Sequence, residues 1–297
     1  MVIITKKIIG NQEYYYLEHS IRVDGNIKKK EKYLGKILPA ASAIDILKKE
    51  FLTEIYTEKW RSLLNKIKNN YSLEQESMPD TLKEKEDHIF AIRFTSDTQR
   101  IEGSKLTLRE TADLLENGTS PGKRPLSDIK ETEAHKKVFS EMLEYNKDLS
   151  LQIVLRWHKN LFGATKPEIA GKLRQHQVAI FGSRFIPPFP AEIYPLINEF
   201  FNWYTRNRDN IPAVELAALV HHKFVTIHPF GDGNGRISRL MMNFVLKKKD
   251  YPLLNIPYEK RSSYYNALER SQVKKDEFIF LQWFLRRYVI ENKRYLK

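Results

Sequence analysis

Apolar residues recur at three- and four-residue intervals through most of this chain, a spacing that predicts a mainly helical protein. Leu47, Phe51, Ile55, Leu63 and Ile67 fall mostly on one helical face, so roughly 42–69 reads as an amphipathic helix. Tyr71 to Asp80 reads as a linker, with Ser72, Ser77, Pro79 and Asp80 as breakers or caps. A second helix follows to about Ile101, and another runs from Thr107 to Asn117. Gly118 to Pro125 is a loop by composition. Further helices are expected at about 128–146, 150–162, 191–206, 212–226, 235–248, 261–272 and 276–291.

Two stretches break the helical pattern. Near the start, Val2-Ile3-Ile4, Tyr14-Tyr15-Tyr16-Leu17 and Ile21-Arg22-Val23 are β-branched or aromatic clusters, separated by the turn signals Gly10-Asn11 and Asp24-Gly25-Asn26. They predict a small antiparallel sheet. Farther along, Gln177 to Phe181 and Arg184-Phe185-Ile186 flank Gly182-Ser183 and predict an internal β-hairpin that Pro187-Pro188 ends. The expected organisation is a β module at 1–38, a helix and linker at 39–78, and a large helical domain at 79–297.

Composition narrows the classes. Hydrophobic residues at 41% and charged residues at 29% suit an ordinary globular protein. No cysteine is present, which excludes disulfides, thiolate catalysis and cysteine-ligated zinc and is compatible with a reducing compartment. The opening MVIITKK reaches lysines too soon for a signal-peptide apolar region, and no apolar run approaches the ~18 residues of a membrane span, so a cytoplasmic protein without membrane partners is the expectation. Lys plus Arg at 50 against Asp plus Glu at 37 gives a formal net charge of +13, which favours anionic partners. Lys28, Lys29, Lys30, Lys32 and Lys36 concentrate that charge in the β module, so a nucleic-acid-binding regulator is a second reading beside a solvated basic surface.

The chemistry concentrates in His228-Pro229-Phe230-Gly231-Asp232-Gly233-Asn234-Gly235-Arg236-Ile237-Ser238-Arg239. Three glycines let backbone amides approach a ligand closely, and a helix begins at once, because Ile237, Leu240, Met241, Phe244 and Val245 recur at helical spacing. A glycine-rich loop entering a helix N-terminus is an anion site. Arg236 and Arg239 stand one turn apart and can each offer a planar fork to phosphate oxygens. Asp232 supplies the hard oxygen that Mg²⁺ prefers, and His228 a ring nitrogen that takes a proton near neutral pH. These parts suit attack at a phosphate. Neither a P-loop nor a dinucleotide fingerprint fits here.

That segment resembles the signature of the Fic family, His-Pro-Phe-x-Asp-Gly-Asn-Gly-Arg-x-x-Arg, without a gap. The resemblance implies a Fic-like helical bundle that transfers AMP from ATP to Ser, Thr or Tyr hydroxyls of target proteins. It implies that His228 deprotonates the hydroxyl, Asp232 holds Mg²⁺, Gly233, Asn234 and Gly235 bind phosphate, Arg236 contacts the α/β-phosphate region and Arg239 receives the γ-phosphate. Gly171 to Pro188 is similar to the family's flap, on which a target segment docks by β-augmentation with Ile180 near the nucleotide. Tyr264 and Tyr265 resemble the adenine-side helix, and Gln272 stands where relatives often carry an Asn. Thr98-Gln99-Arg100-Ile101-Glu102-Gly103 fits the family's inhibitory pattern, with Ser104 where relatives often have Asn. A Glu102 carboxylate on Arg239 would occupy the fork that the γ-phosphate needs, a built-in brake. Removal of AMP, or transfer of another phosphoryl group, by the same site is the alternative within this chemistry; Gly235 and Arg239 together favour AMP transfer. The partners implied are ATP, a target protein on the flap and, in some relatives, a second copy of the chain as a homodimer.

His221 and His222 are adjacent on one helix and do not make a zinc pair. His158 follows Trp157 in an apolar helix and reads as a core histidine with a satisfied hydrogen bond.

Overall fold

The computed structural model describes residues 2–23 and 26–297. The Asp24-Gly25 part of the expected turn lies outside the described residues. The chain divides into two compact units, Met1–Lys66 and Ile67–Lys297.

In the first unit, strands β1 (Ile3–Ile9), β2 (Gln12–Val23) and β3 (Asn26–Gly35) form an antiparallel sheet in the order β1-β2-β3. Alternation along β2 turns Leu17 and Ile21 to one face, where they pack on Phe51 and Ile55 of helix α1 (Ala41–Ser77). The clustered lysines are largely paired within this unit. Lys29 bonds Glu18 at 2.7 Å, Lys30 bonds Glu58 at 2.7 Å and Lys32 bonds Glu54 at 2.8 Å. The nucleic-acid reading drew on this lysine cluster, and these pairs offset part of its local charge.

Helix α1 runs through the expected linker. Residues 71–77 are helical because Leu73, Glu74, Gln75 and Glu76 are strong helix formers, while Ser77 Oγ donates back to the carbonyls of Leu73 and Glu74. Tyr71 packs edge-on to Tyr295, and Asn70 donates to the Tyr295 carbonyl at 2.8 Å, so the C-terminal turns of α1 are held by tertiary contacts. The break is confined to Met78-Pro79. The buried face also shifts: Leu64 is buried and Leu63 only half-buried.

The second unit contains α2 (Asp80–Ile101), α3 (Leu108–Asn117), α4 (Leu126–Glu144), α5 (Leu151–Phe162), α6 (Pro190–Asn207), α7 (Ala213–Ile227), α8 (Asn234–Lys248), α9 (Arg261–Val273) and α10 (Glu277–Glu291). The helical spacing located all of these to within a few residues. Helix α8 is buried along nearly its whole length, with Ile237, Leu240, Met241, Met242 and Phe244 completely buried, so it is surrounded by other elements. It packs on α7, α4, α2 and α5, while α10 covers α7 and α9 bonds to α7 through Tyr264, Ser271 and Gln272. The N-terminus of this central helix is where the glycine loop ends.

The expected hairpin at 177–186 follows a folded-back path but has no strand ladder. A turn closes from Ser183 N to Ile180 O at 3.1 Å, and the Gln177 side-chain amide donates to Pro187 O at 3.0 Å. Pro187 and Pro188 carry no N–H to extend a ladder, and Gln177 links the two limbs through its side chain instead. No helix among the described residues is long and apolar enough to cross a membrane.

Candidate active site

The loop between α7 and α8 is held in an unusual backbone shape. His228 caps α7 in the left-handed region, at φ 53° and ψ 56°, which a non-glycine residue rarely adopts and which places its ring at the loop's entrance. Gly233 begins α8 at φ 80°, and a Cβ there would lie 2.3 Å from the Phe162 ring, so only glycine fits. The first backbone bond of α8 runs from Ile237 N to Gly233 O, which leaves the amides of Asn234, Gly235 and Arg236 at the open end without an intrahelical acceptor. Those donors and the helix dipole favour an anion.

The side chains of the loop divide into two groups. Asn234 turns its side chain inward, accepting from Phe230 N and donating to Phe230 O, both at 2.9 Å. It therefore shapes the loop, and what it offers an anion is its backbone amide. Arg236 is also turned inward: it donates to Gln99 Oε1 at 2.9 Å and to Glu131, with Asp232 Oδ1 at 3.3 Å. The fork expected at the α/β-phosphates is thus engaged by carboxylates. Asp232 accepts Lys166 Nζ on Oδ2 at 2.6 Å. Burial opposes its ionisation, but the Arg236 charge and the Lys166 bond outweigh this and hold its pKa below the usual carboxylate value.

The second group faces an open cavity of about 570 Å³, within the size range of ligand sites. His228, Gly235, Arg239, Glu102, Tyr265 and Ile180 are among its walls, brought together from α2, the 172–189 segment, α7, α8 and α9. Arg239 is 1% exposed, and each of its three guanidinium nitrogens donates a hydrogen bond. It gives Nε to Thr98 Oγ1 at 2.6 Å, Nη1 to the Tyr264 hydroxyl at 3.2 Å, and Nη2 to Thr98 O at 3.3 Å and Glu102 Oε1 at 2.6 Å. The same Glu102 oxygen lies where a Cβ on Gly235 would be only 2.3 Å away. Glu102 thus occupies both the fork of Arg239 and the approach to the α8 amides.

Tyr264 is buried, and its hydroxyl also bonds His221 Nε2 at 2.9 Å; Tyr265 donates to Ile101 O at 2.8 Å. Both tyrosines line the cavity, yet their hydroxyls hold the α2 end and Arg239 rather than facing into open space. Gln272 lines it too, with its amide donating to Thr226 Oγ1 at 3.2 Å.

His228 has one tautomer available. Its Nδ1 lies 3.2 Å from Val225 O, which can only accept, so Nδ1 carries the proton and Nε2 the lone pair. Burial lowers its pKa from the ordinary value, which keeps that lone pair free at neutral pH.

Three supporting residues escaped the sequence reading. Arg174 donates Nε to His228 O at 2.7 Å, Nη1 to His176 O at 3.0 Å and Nη2 to Pro188 O at 2.6 Å, tying the 172–189 segment to the loop at His228. Lys166 and Glu131 complete the charges around Asp232 and Arg236. His158, a core histidine as expected, does more than fill space. It donates Nε2–H to Asp232 O at 3.0 Å and accepts Gly171 N at 2.9 Å, while burial lowers its pKa to about 4 and keeps it neutral. No spacing rule connects these residues to the motif, because they reach it from α4, α5 and the connection between α5 and α6.

Comparison with known proteins adds an independent observation. Residues 148–246, from just before α5 through nearly all of α8, match the model of the Fic/DOC family. Over this segment the chain is similar to Fic-family proteins. The protein adenylyltransferase Fic of Drosophila melanogaster is 34% identical over 173 residues, 57% of this chain and 35% of that protein. The chain therefore spans about a third of the length of the curated relatives it matches. A Fic domain containing signaling protein from Bacteroides thetaiotaomicron superposes with a TM-score of 0.72 at 25% identity, covering 79% of this chain and 96% of that one. Fic-1 of C. elegans gives 0.73 at 22% identity, covering 87% and 78%, and shares the fold. The Fic segment proper contains the loop, His228, Asp232, Arg236, Arg239, Arg174 and Lys166. Glu102 and Tyr264 lie outside the matched residues and enter the site through α2 and α9.

Proposed function

We propose that this chain is a protein adenylyltransferase that moves AMP from ATP to a Ser, Thr or Tyr hydroxyl of a target protein and is restrained by its own Glu102. The observation that carries the reading is the single cavity in which the Nε2 side of His228, the open amides of α8 and an Arg239 fork occupied by Glu102 converge.

The polyphosphate of ATP would lie on the amides of Asn234, Gly235 and Arg236, with its terminal phosphate taking the Arg239 donor now given to Glu102. The target hydroxyl oxygen then attacks the α-phosphorus. Its proton passes to His228 Nε2, the α–β bridging bond breaks, and pyrophosphate leaves. With Glu102 in place, a carboxylate stands where the terminal phosphate must settle, and the chain of phosphates cannot align. Asp232 fits a magnesium ion: it is a hard, ionised, 39% exposed carboxylate beside the phosphate loop, and magnesium commonly takes one or two protein carboxylates with phosphates and water. Bound there, the ion would neutralise phosphate charge. The partners on this reading are ATP and a target segment seated along 172–189, and the absence of cysteine suits action in the cytoplasm.

The test uses wild-type, Glu102→Gly and His228→Ala proteins with Mg²⁺, cell lysate and ATP labelled on either the α or the γ phosphate. Glu102→Gly should deposit α label, and not γ label, on protein, at least tenfold above wild type, since the fork is freed at no other cost. His228→Ala should deposit none while still binding nucleotide. Transfer of γ label, or transfer retained without His228, overturns the proposal.

A further inference from the structure

Around the base of the catalytic loop, four charged side chains close into a ring. Arg236 of α8 pairs with Glu131 of α4; Glu131 accepts Lys166 Nζ at 3.0 Å; Lys166 bonds Asp232 Oδ2 at 2.6 Å; and Asp232 Oδ1 returns to Arg236 at 3.3 Å. Two cations balance two anions, so the ring is neutral. Its halves differ in burial. The side chains of Arg236 and Glu131 are 4% and 8% exposed, whereas those of Lys166 and Asp232 are 34% and 39% exposed. The inner pair is fixed by packing, and the outer bond faces water.

The outer bond is the replaceable one. Asp232 Oδ1 is committed inward, to Gly233 N at 2.5 Å and to Arg236, which leaves Oδ2 as the outward oxygen, and Lys166 covers it. Lys166 would not be stranded by letting go. It keeps Glu131, and its ammonium already lies 5.0 Å from the centre of the Phe162 ring. A lysine suits this exchange, being a compact charge on a flexible stem that gives up one acceptor without losing a planar fork.

We propose that Lys166 is a built-in counter-cation for the divalent-metal position: it neutralises Asp232 before an ion arrives, and must swing onto Glu131 for the ion to bind. Lys166 would thereby weaken metal binding to the resting protein and couple metal arrival to movement of the 163–171 loop that carries it. This rests on the assignment of Asp232 as the metal ligand.

The experiment measures Mn²⁺ binding by the electron paramagnetic resonance signal of the free ion, with and without ADP, on the full chain. Lys166→Met should bind Mn²⁺ on the order of 5- to 10-fold more tightly than wild type, the effect of removing one unit charge beside a divalent ion near a protein surface. Lys166→Arg, which keeps the charge, should bind no more tightly than wild type. Asp232→Asn should lose the ion in every background. On the wild-type chain, which needs no variant to fold, the ¹³Cε resonance of Lys166 should shift on adding Mg²⁺ and should not shift in Asp232→Asn. Unchanged or weaker Mn²⁺ binding by Lys166→Met, with binding still lost in Asp232→Asn, overturns the role of Lys166 and leaves Asp232 as ligand. Wild-type-like Mn²⁺ binding by Asp232→Asn overturns the metal assignment, and the proposal falls with it.

Discussion

Glu102 and Gly235 are coupled by contact. A methyl group on Gly235 would fall 2.3 Å from Glu102 Oε1 and 3.0 Å from Arg239 Nη1. The carboxylate is the far end of a flexible side chain and can be pushed away, so the cost of Gly235→Ala is chiefly the lost Glu102–Arg239 pair. We expect it to destabilise the wild type by about 1–2 kcal/mol and to cost less than half of that in a Glu102→Gly background, read from chemical denaturation of the double-mutant cycle. Equal costs in the two backgrounds would mean that the two residues do not meet. The lowered pKa of His228 gives a pH profile with a definite sign. The imidazole is the neutral base above its pKa, so transfer by Glu102→Gly should be level through neutral pH and fall only on acidification below about 6.5, the ordinary histidine value. A profile still rising above pH 7 would point to another base. At this scale the motif was legible because twelve contiguous residues carry it. The inward turn of Asn234 and Arg236 was not, since a guanidinium's direction depends on Gln99 and Glu131, which sequence spacing does not place nearby.

Helical periodicity read the elements well because α2 to α10 bury regular faces and many end in recognisable caps. Thr107 and Glu110 form a capping box at the start of α3, and Gly118 closes it in the left-handed conformation. The failures have local causes. The expected linker after α1 is helical because Ser72 and Ser77 sit among strong helix formers, and tertiary contacts of Asn70 and Tyr71 outweigh the serines. The expected hairpin lacks a ladder because its cross-links are side-chain bonds from Arg174 and Gln177. Arg174 reads in sequence as one more basic residue after Gly171-Lys172-Leu173, yet it is 5% exposed and satisfies three carbonyls. Arg174→Met should leave those carbonyls without a donor, cost about 2–4 kcal/mol in denaturant unfolding and lower kcat by loosening the loop at His228. Nucleotide affinity should change far less, because none of its three acceptors belongs to α8. Loss of nucleotide binding with kcat intact would contradict this positioning role.

Across the second unit, several histidines are buried in the neutral form. Burial lowers the pKa of His135 to about 3 and of His158 and His222 to about 4, and holds that of His221 well below the ordinary 6.5. Because folding lowers these values, the stability they contribute is present above about pH 6.5 and is lost as pH falls toward 4. The melting temperature should therefore drop by about 10 °C or more between pH 6.5 and 4.5, and a flat profile would show that these histidines are accessible to protons. The fold brings Glu102 of α2 against Arg239 of α8 across 137 residues of sequence, a pairing that only the family resemblance suggested in advance. On the proposed function, that carboxylate stands where the terminal phosphate of ATP would settle. The most direct measurement is a crystal structure of Glu102→Gly grown with ATP and Mg²⁺. The expected map shows phosphates on the amides of Asn234 to Arg236, the terminal phosphate bonded to Arg239 and the α-phosphate facing His228. Nucleotide bound elsewhere, or a loop left closed with Arg239 turned away, would contradict the account.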